Sequence, residues 1–318
     1  MKIVSFCREH QEARLGILLD DAILDAATAA SVLQREHECY FRDARSFIRA
    51  GDAAIAAAKQ LIDRRPVGAL LKRDSVKLAP PIIPSTILCA GSNYREHNEE
   101  KAGSPTSGKE PEFFLKTSDC VVGPEEPIVY DDKLTRKLDC ETELAIVIGR
   151  PGRHIPKDQA LAHIFGYTIV NDVTARDRQV RRSGEFTWYE LGRGKAFDGS
   201  APLGPCIVTA DEIPDPQILD IRTRINGELR QFSNTRNMIW TCADLIHFFS
   251  TNFTLKPGMV IITGTPAGTA WSTDAELGGH WKPNGDLVAA SRYCLPGDLV
   301  ESEIERIGVL RNPVQLQA

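Results

Sequence analysis

An α+β fold with strands in the majority is predicted by three features of this 318-residue chain. Short apolar runs of strand length recur along it, several in period-two alternation, with Gly, Pro or Asn-Gly as punctuation. Long helical patterns are few, and the Ala-rich ones lie near the N-terminus. A proline-rich connector, residues 76–84, divides that part from the rest, because each X-Pro step disfavours helix. The boundary falls near residue 78, giving a small α+β domain over 1–78 and a β-rich domain over 79–318.

The elements follow in order. Residues 2–7 and 13–19 read as strands, the second turning at Asp20-Asp21 into a hairpin. Helices are expected near 27–35 and 51–64, the latter bounded by Gly51 and the Arg64-Arg65-Pro66 break. An apolar strand runs into Gly91, and Ser92 or Asn93 caps a short polar helix ending at Gly103. The Gly-, Ser- and Pro-rich stretch 103–112 reads as a lid or a plain surface excursion. Strands are then expected at 138–149, 167–174 and 206–208, and the Asn226-Gly227 pair marks a hairpin. Residues 241–252 form an amphipathic helix whose His247 is packed. Met259 to Thr263 is a buried strand feeding a Gly-rich turn, Gly264-Thr265-Pro266-Ala267-Gly268, whose N–H groups could hold an anion. It is not a phosphate P-loop, since the Lys-Ser/Thr pair and following helix are missing. Residues 296–305 make a late strand.

Charge and composition exclude some partners. A formal net charge of −5 gives no basic field for nucleic acid or a membrane surface. No run approaches the roughly 20 apolar residues of a membrane span, and the N-terminus has no apolar signal region. Eight scattered cysteines without C-x-x-C spacing read as reduced, mostly buried thiols of a cytoplasmic protein.

Chemistry concentrates in a few places. Glu141 and Glu143 share a face of the 138–149 strand, where two carboxylates repel unless a cation lies between them. Oxygen ligands suit Mg²⁺, Mn²⁺ or Ca²⁺ rather than zinc; a solvated strand is the alternative, and Asp172 offers a third carboxylate. His97 and Glu100 stand i,i+3, as an imidazole and an orienting carboxylate would, or as an ordinary exposed pair. Arg176 suits a carboxylate substrate or an internal bridge to Asp177 or Asp172. Lys195, among Gly and apolar neighbours, is either partly buried beside a negative partner or exposed on a loop.

Taken together, Gly91-Ser92-Asn93-Tyr94-Arg95-Glu96-His97, Phe113-Phe114-Leu115-Lys116, residues 139–145, residues 171–177, Lys195-Ala196-Phe197-Asp198 and Thr263-Gly264-Thr265-Pro266-Ala267-Gly268 resemble the fumarylacetoacetate hydrolase family. The resemblance covers about residues 85–314. It implies a mixed β-roll catalytic domain, usually homodimeric, behind the small N-terminal domain. It implies that Glu141, Glu143 and Asp172 hold one divalent cation, normally Mg²⁺ or Mn²⁺. His97 and Glu100 would activate water from a helix that orders around substrate, with Lys195 near the metal-bound oxygen. Arg176, Gln179 and Thr265 match positions that contact the substrate, and Tyr94 is grouped with them. One departure is the long segment 269–295, with Trp271, Trp281 and Gly278-Gly279, which bears on substrate identity.

The activity implied is hydrolysis of a C–C bond in a 2,4-dioxo acid of acylpyruvate type, from aromatic or sugar-acid catabolism, giving pyruvate and a carboxylic acid. Oxaloacetate decarboxylation or tautomerisation, and isomerisation or hydration of unsaturated 2-oxo acids, would use the same site. A Ca²⁺-stabilised binding protein is the remote alternative; it would need neither His97 nor Lys195.

Overall fold

The structure, a computed structural model, describes residues 1–8, 12–100, 110–183, 186–283 and 285–317. The expected lid over 103–112 therefore lies largely outside the described residues.

One mixed twelve-stranded sheet runs through the molecule. From the strand Lys2–Cys7 the order runs through Ala201–Thr209, Ile164–Asn171, Thr142–Ile148, Val260–Ile262 and Ile87–Gly91 to the edge strand Glu112–Lys116. Side chains alternate across it, as pleating demands. Leu144, Ile146 and Ile148 enter one core with Leu245, Ile246 and Phe249 of the helix Cys242–Asn252. Ala145 and Val147 enter the opposite core with Phe47, Ala54 and Leu61 from the N-terminal helices. The period-two reading of these strands therefore holds, and so does the α+β, mostly β class.

A five-stranded sheet covers one end, in the order Glu228–Asn234, Asp220–Ile225, Leu299–Ile304, Gly308–Leu316, Ile128–Tyr130. Its first hairpin turns at Asn226-Gly227, both with positive φ (54° and 80°), as the pair predicts. The N-terminal helices are Ala26–Leu33, Ala44–Ala50 and Asp52–Arg64; the middle one is not visible in the sequence pattern. Helix Cys242–Asn252 starts with a capping box between Thr241 and Asp244. His247, expected to be packed, is instead exposed on this helix because it lies off the buried face of Leu245, Ile246 and Phe249, and its Nδ1 is 2.7 Å from the Ile155 carbonyl.

The expected boundary near residue 78 falls inside continuous structure. Lys77–Ala79 pairs with Lys2–Cys7, which itself pairs with Ala201–Thr209. The small domain thus shares both sheet and core with the rest.

Candidate active site

Strand register builds the site. Thr142 pairs with Asn171, so Glu141 and Asp172 meet where the two strands end, with Asp172 N–H donating to the Glu141 carbonyl at 2.8 Å. Glu143, two residues on, projects from the same face. Ligand atoms of Glu141, Glu143 and Asp172 lie within 4.8 Å of one another, and all three residues are buried.

Cations hold two of the three. Arg176 and Lys195 both donate to Glu141, and Lys195 also reaches Asp172 at 2.6 Å. The Nζ of Lys116 lies 2.9 Å from the other Asp172 oxygen. Burial raises the Glu141 pKa, but Arg176 and Lys195 outweigh it and hold the carboxyl well below the usual range. Burial likewise works against the Lys195 charge, and Asp172 and Glu141 hold the ammonium above its ordinary value. The buried reading of Lys195, with carboxylate partners, is the correct one of the two.

Glu143 differs. It accepts the Gly264 N–H at 2.6 Å. Burial, followed by the charges of Asp172 and Glu141, pushes its carboxyl well above the usual range. Three converging oxygen donors, one with no cation against it among the described contacts, fit a single hard divalent ion. The donor chemistry therefore agrees with a metal at Glu141, Glu143 and Asp172.

His97 stands on the helix Arg95–Glu99, and its Nδ1 is 2.7 Å from Glu100. An ionised carboxylate only accepts, so Nδ1 carries the proton and the basic lone pair sits on Nε2. Glu100 is fully buried and its other oxygen takes the Gly268 N–H. The exposed-pair reading of His97 and Glu100 is excluded by that burial. The Gly-rich turn does hold anions, but they are the chain's own: Gly264 binds Glu143 and Gly268 binds Glu100. This turn needs glycine, since at Gly268 φ is 107° and a Cβ would lie 1.9 Å from the Arg230 carbonyl.

Three expectations are corrected. Tyr94, grouped with the substrate contacts, is fully buried in the core and does not line the cavity. It occupies the N-cap position of the short helix without a side-chain capping bond, and its ring packs in the core. Neither Ser92 nor Asn93 caps that helix; the Asn93 amide instead ties the Thr263 and Trp240 carbonyls together. Arg176 bridges neither Asp177 nor Asp172: it is fully buried, with Nε 2.8 Å from Asp139 and Nη2 on Glu141. Gln179 and Thr265 do line the cavity, Gln179 accepting from Arg176 at 2.9 Å and Thr265 donating to the Thr142 carbonyl at 2.9 Å.

Two buried residues without an assigned role in the sequence carry much of this geometry. Lys116 binds Ser200 and the Lys195 carbonyl besides Asp172. Asp139 orients Arg176. A signal existed for both: Asp139, Glu141 and Glu143 recur at every second position, and Lys116 ends the continuous apolar run Phe113-Phe114-Leu115.

Oxygen ligands for a hard cation, beside an imidazole with its own carboxylate, are the equipment of metal-assisted acid–base chemistry. The chain belongs to the fumarylacetoacetate hydrolase family, whose profile, described as "Fumarylacetoacetate (FAA) hydrolase C-terminal", matches residues 86–315. It is 39% identical over 319 residues to "Oxaloacetate tautomerase fahd2, mitochondrial" of Xenopus laevis, covering 99% of this chain and 90% of that protein. To the human "Oxaloacetate tautomerase FAHD2A, mitochondrial" it is 38% identical, over 84% of this chain and 78% of that one. Among solved structures, a fumarylacetoacetate hydrolase from Exiguobacterium antarcticum is 31% identical with a TM-score of 0.75, over the full length of both chains. Maleylpyruvate hydrolase from Sphingobium sp. SYK-6, in complex with manganese(II) and pyruvate, is 26% identical with a TM-score of 0.72, again over both full lengths.

Proposed function

We propose that this enzyme interconverts the keto and enol forms of oxaloacetate, a reading placed second to hydrolysis on sequence alone. The relatives named oxaloacetate tautomerase support it, and so does the site: the observation that carries it is the buried His97–Glu100 pair, 2.7 Å apart, on a cavity that also holds Lys195 and the three carboxylates. Glu141, Glu143 and Asp172 would hold one divalent cation, Mg²⁺ or Mn²⁺, which supplies Lewis-acid polarisation of the 2-oxo group when bound. His97 Nε2 takes the C3 proton, and Glu100 stabilises the imidazolium that results. Lys195 is assigned the negative charge that develops on the 2-oxygen, an oxyanion role; solvent then protonates that oxygen to complete the enol, and the imidazolium of His97 returns its proton to solvent. The same base returns its proton to C3 in the reverse direction.

Hydrolysis of an acylpyruvate remains a second reading, favoured by the likeness to a maleylpyruvate hydrolase. In it His97 takes the proton from water instead, and the C3–C4 bond breaks to release pyruvate. One assay separates these. Tautomerase activity speeds the decay of enol absorbance in fresh oxaloacetate without releasing pyruvate. Pyruvate released from acylpyruvates, with no effect on the enol, would replace the tautomerase reading by the hydrolase one; pyruvate from oxaloacetate would mean decarboxylation.

The assembly we propose is a homodimer, for which light scattering should give twice 35.1 kDa at micromolar concentration. Among the described residues no helix is long and apolar enough to cross a membrane. All eight cysteines are free, which suits a compartment that keeps thiols reduced, such as the cytoplasm.

A further inference from the structure

The chemistry above uses nothing from the segment 269–295, yet that segment is fastened to Asp139, two residues before the metal ligand Glu141. The Asp139 carboxylate accepts the backbone N–H groups of Ala270 at 2.9 Å and Trp271 at 3.1 Å, together with Arg176 Nε at 2.8 Å. The indole N–H donates to the Leu277 carbonyl at 3.1 Å, so the segment folds back around its own ring. That ring lies over the Arg176 guanidinium, 4.9 Å from Cζ to the ring centroid, and meets Tyr189 edge-on at 5.9 Å. Trp271 is 3% exposed and Tyr189 40%. Both line the same cavity as the carboxylates, which measures about 50 Å³ among the described residues.

Arg176 is left with spare capacity. A guanidinium has five N–H donors. Asp139, Gln179 and Glu141 take one each, from Nε, Nη1 and Nη2. One N–H on each Nη remains, and the stacked indole keeps the group from turning out of its plane.

We propose that Trp271, seconded by Tyr189, determines specificity: the aromatic pair closes the cavity beyond Arg176 and sets the chain length of the acid that fits. A four-carbon 2-oxo dicarboxylate puts its distal carboxylate on the spare Arg176 donors, and each further methylene runs into the indole. The inference rests on the 2-oxo acid reading of the site.

The test is calorimetric binding to the full-length, Mg²⁺-loaded protein, with oxalate, 2-oxoglutarate and 2-oxoadipate as probes. Oxalate reproduces only the C1–C2 end and does not extend to Trp271. In the wild type, with oxalate as the reference, 2-oxoadipate should bind about tenfold or more weakly than 2-oxoglutarate, which is one methylene shorter. In Trp271→Ala, oxalate binding should be unchanged, and 2-oxoadipate should tighten about tenfold or more relative to it. Trp271→Phe keeps a planar wall and should keep the wild-type ratio. Tyr189→Ala alters a partly exposed side chain, so it folds regardless, and should shift the ratio the same way by less. An unchanged 2-oxoadipate-to-oxalate ratio in both alanine variants, with oxalate binding intact, overturns the proposal. So does a parallel loss of every probe in a folded Trp271→Ala, which marks a structural role. Failure of the wild type to bind oxalate overturns the 2-oxo acid reading itself, and the proposal with it.

Discussion

Glu141 and Glu143 are two positions apart and differ in company. Glu141 has Arg176 and Lys195 against it, whereas Glu143 has a backbone N–H and two repelling carboxylates. Their amide variants should therefore diverge. Glu141→Gln takes one carboxylate partner from each of two buried cations, leaving Arg176 on Asp139 and Lys195 on Asp172; its metal-free thermal midpoint should fall, by less than the roughly 3–5 kcal/mol that complete loss of a buried pair costs. Glu143→Gln removes an unfavourable charge, so the metal-free midpoint should hold or rise. Both should lose the stabilisation that added Mg²⁺ gives the wild type, and a scan with and without Mg²⁺ reads all four quantities. At the dyad, His97→Ala should slow enolisation about 10²–10⁴-fold, the usual worth of general acid–base catalysis. Its Mg²⁺ affinity by calorimetry should stay near wild type, since the three carboxylates are untouched. Undiminished turnover in that variant would give the base to another residue. Glu141, Glu143 and Asp172 were legible as charges at the ends of apolar runs, whereas His97 and Glu100 offered only i,i+3 spacing on a polar helix and Lys195 only its Gly and apolar neighbours, so for these three the exposed alternative stayed open, and their burial closes it. What Arg176 binds was not legible: its partner Asp139 lies 37 positions away and only the fold brings them together.

At the scale of elements, turns and alternating strands were readable because their signals are local. The Asn226-Gly227 hairpin is one case, and its tip is locked from outside: Asn226 donates to Asp298 at 2.8 Å and accepts the Leu299 N–H at 2.9 Å. Asp298 also binds Arg292, and mainly for that reason its pKa is lowered to about 2. A carboxyl depressed on folding stabilises above its unfolded value, near 3.9, and the contribution is lost as pH falls through the folded value. Wild type and Asp298→Asn should thus differ in urea stability at pH 5 and converge as pH approaches 2; a constant gap across that window would remove Asp298 from the account. The short helix before Glu100 was less readable. Its start was placed at a good capping residue, but Asn93 is needed to bind the Thr263 and Trp240 carbonyls, and such non-local demand overrides a local preference.

For the whole molecule, the two-part division suggested by the proline-rich connector marks a change in composition more than a break in structure. The strand Lys2–Cys7 lies between Arg14–Leu19 and Ala201–Thr209, and its side chains feed both cores. Residues 79–318 expressed alone should accordingly be insoluble or bind a hydrophobic dye, because removal of 1–78 bares a sheet edge and one core face. A monodisperse fragment with cooperative unfolding would instead restore an independent domain. The same pairing has a consequence for synthesis. Ile3 finds its partner only when Ile207 has left the ribosome. At about 5–20 residues per second, the first strand emerges some ten to forty seconds before the strand it must join. Through that interval its apolar face has only the neighbouring hairpin and the nascent helices to cover it. The early Ala-rich helices thus gain a second role, sheltering the opening strand until translation catches up.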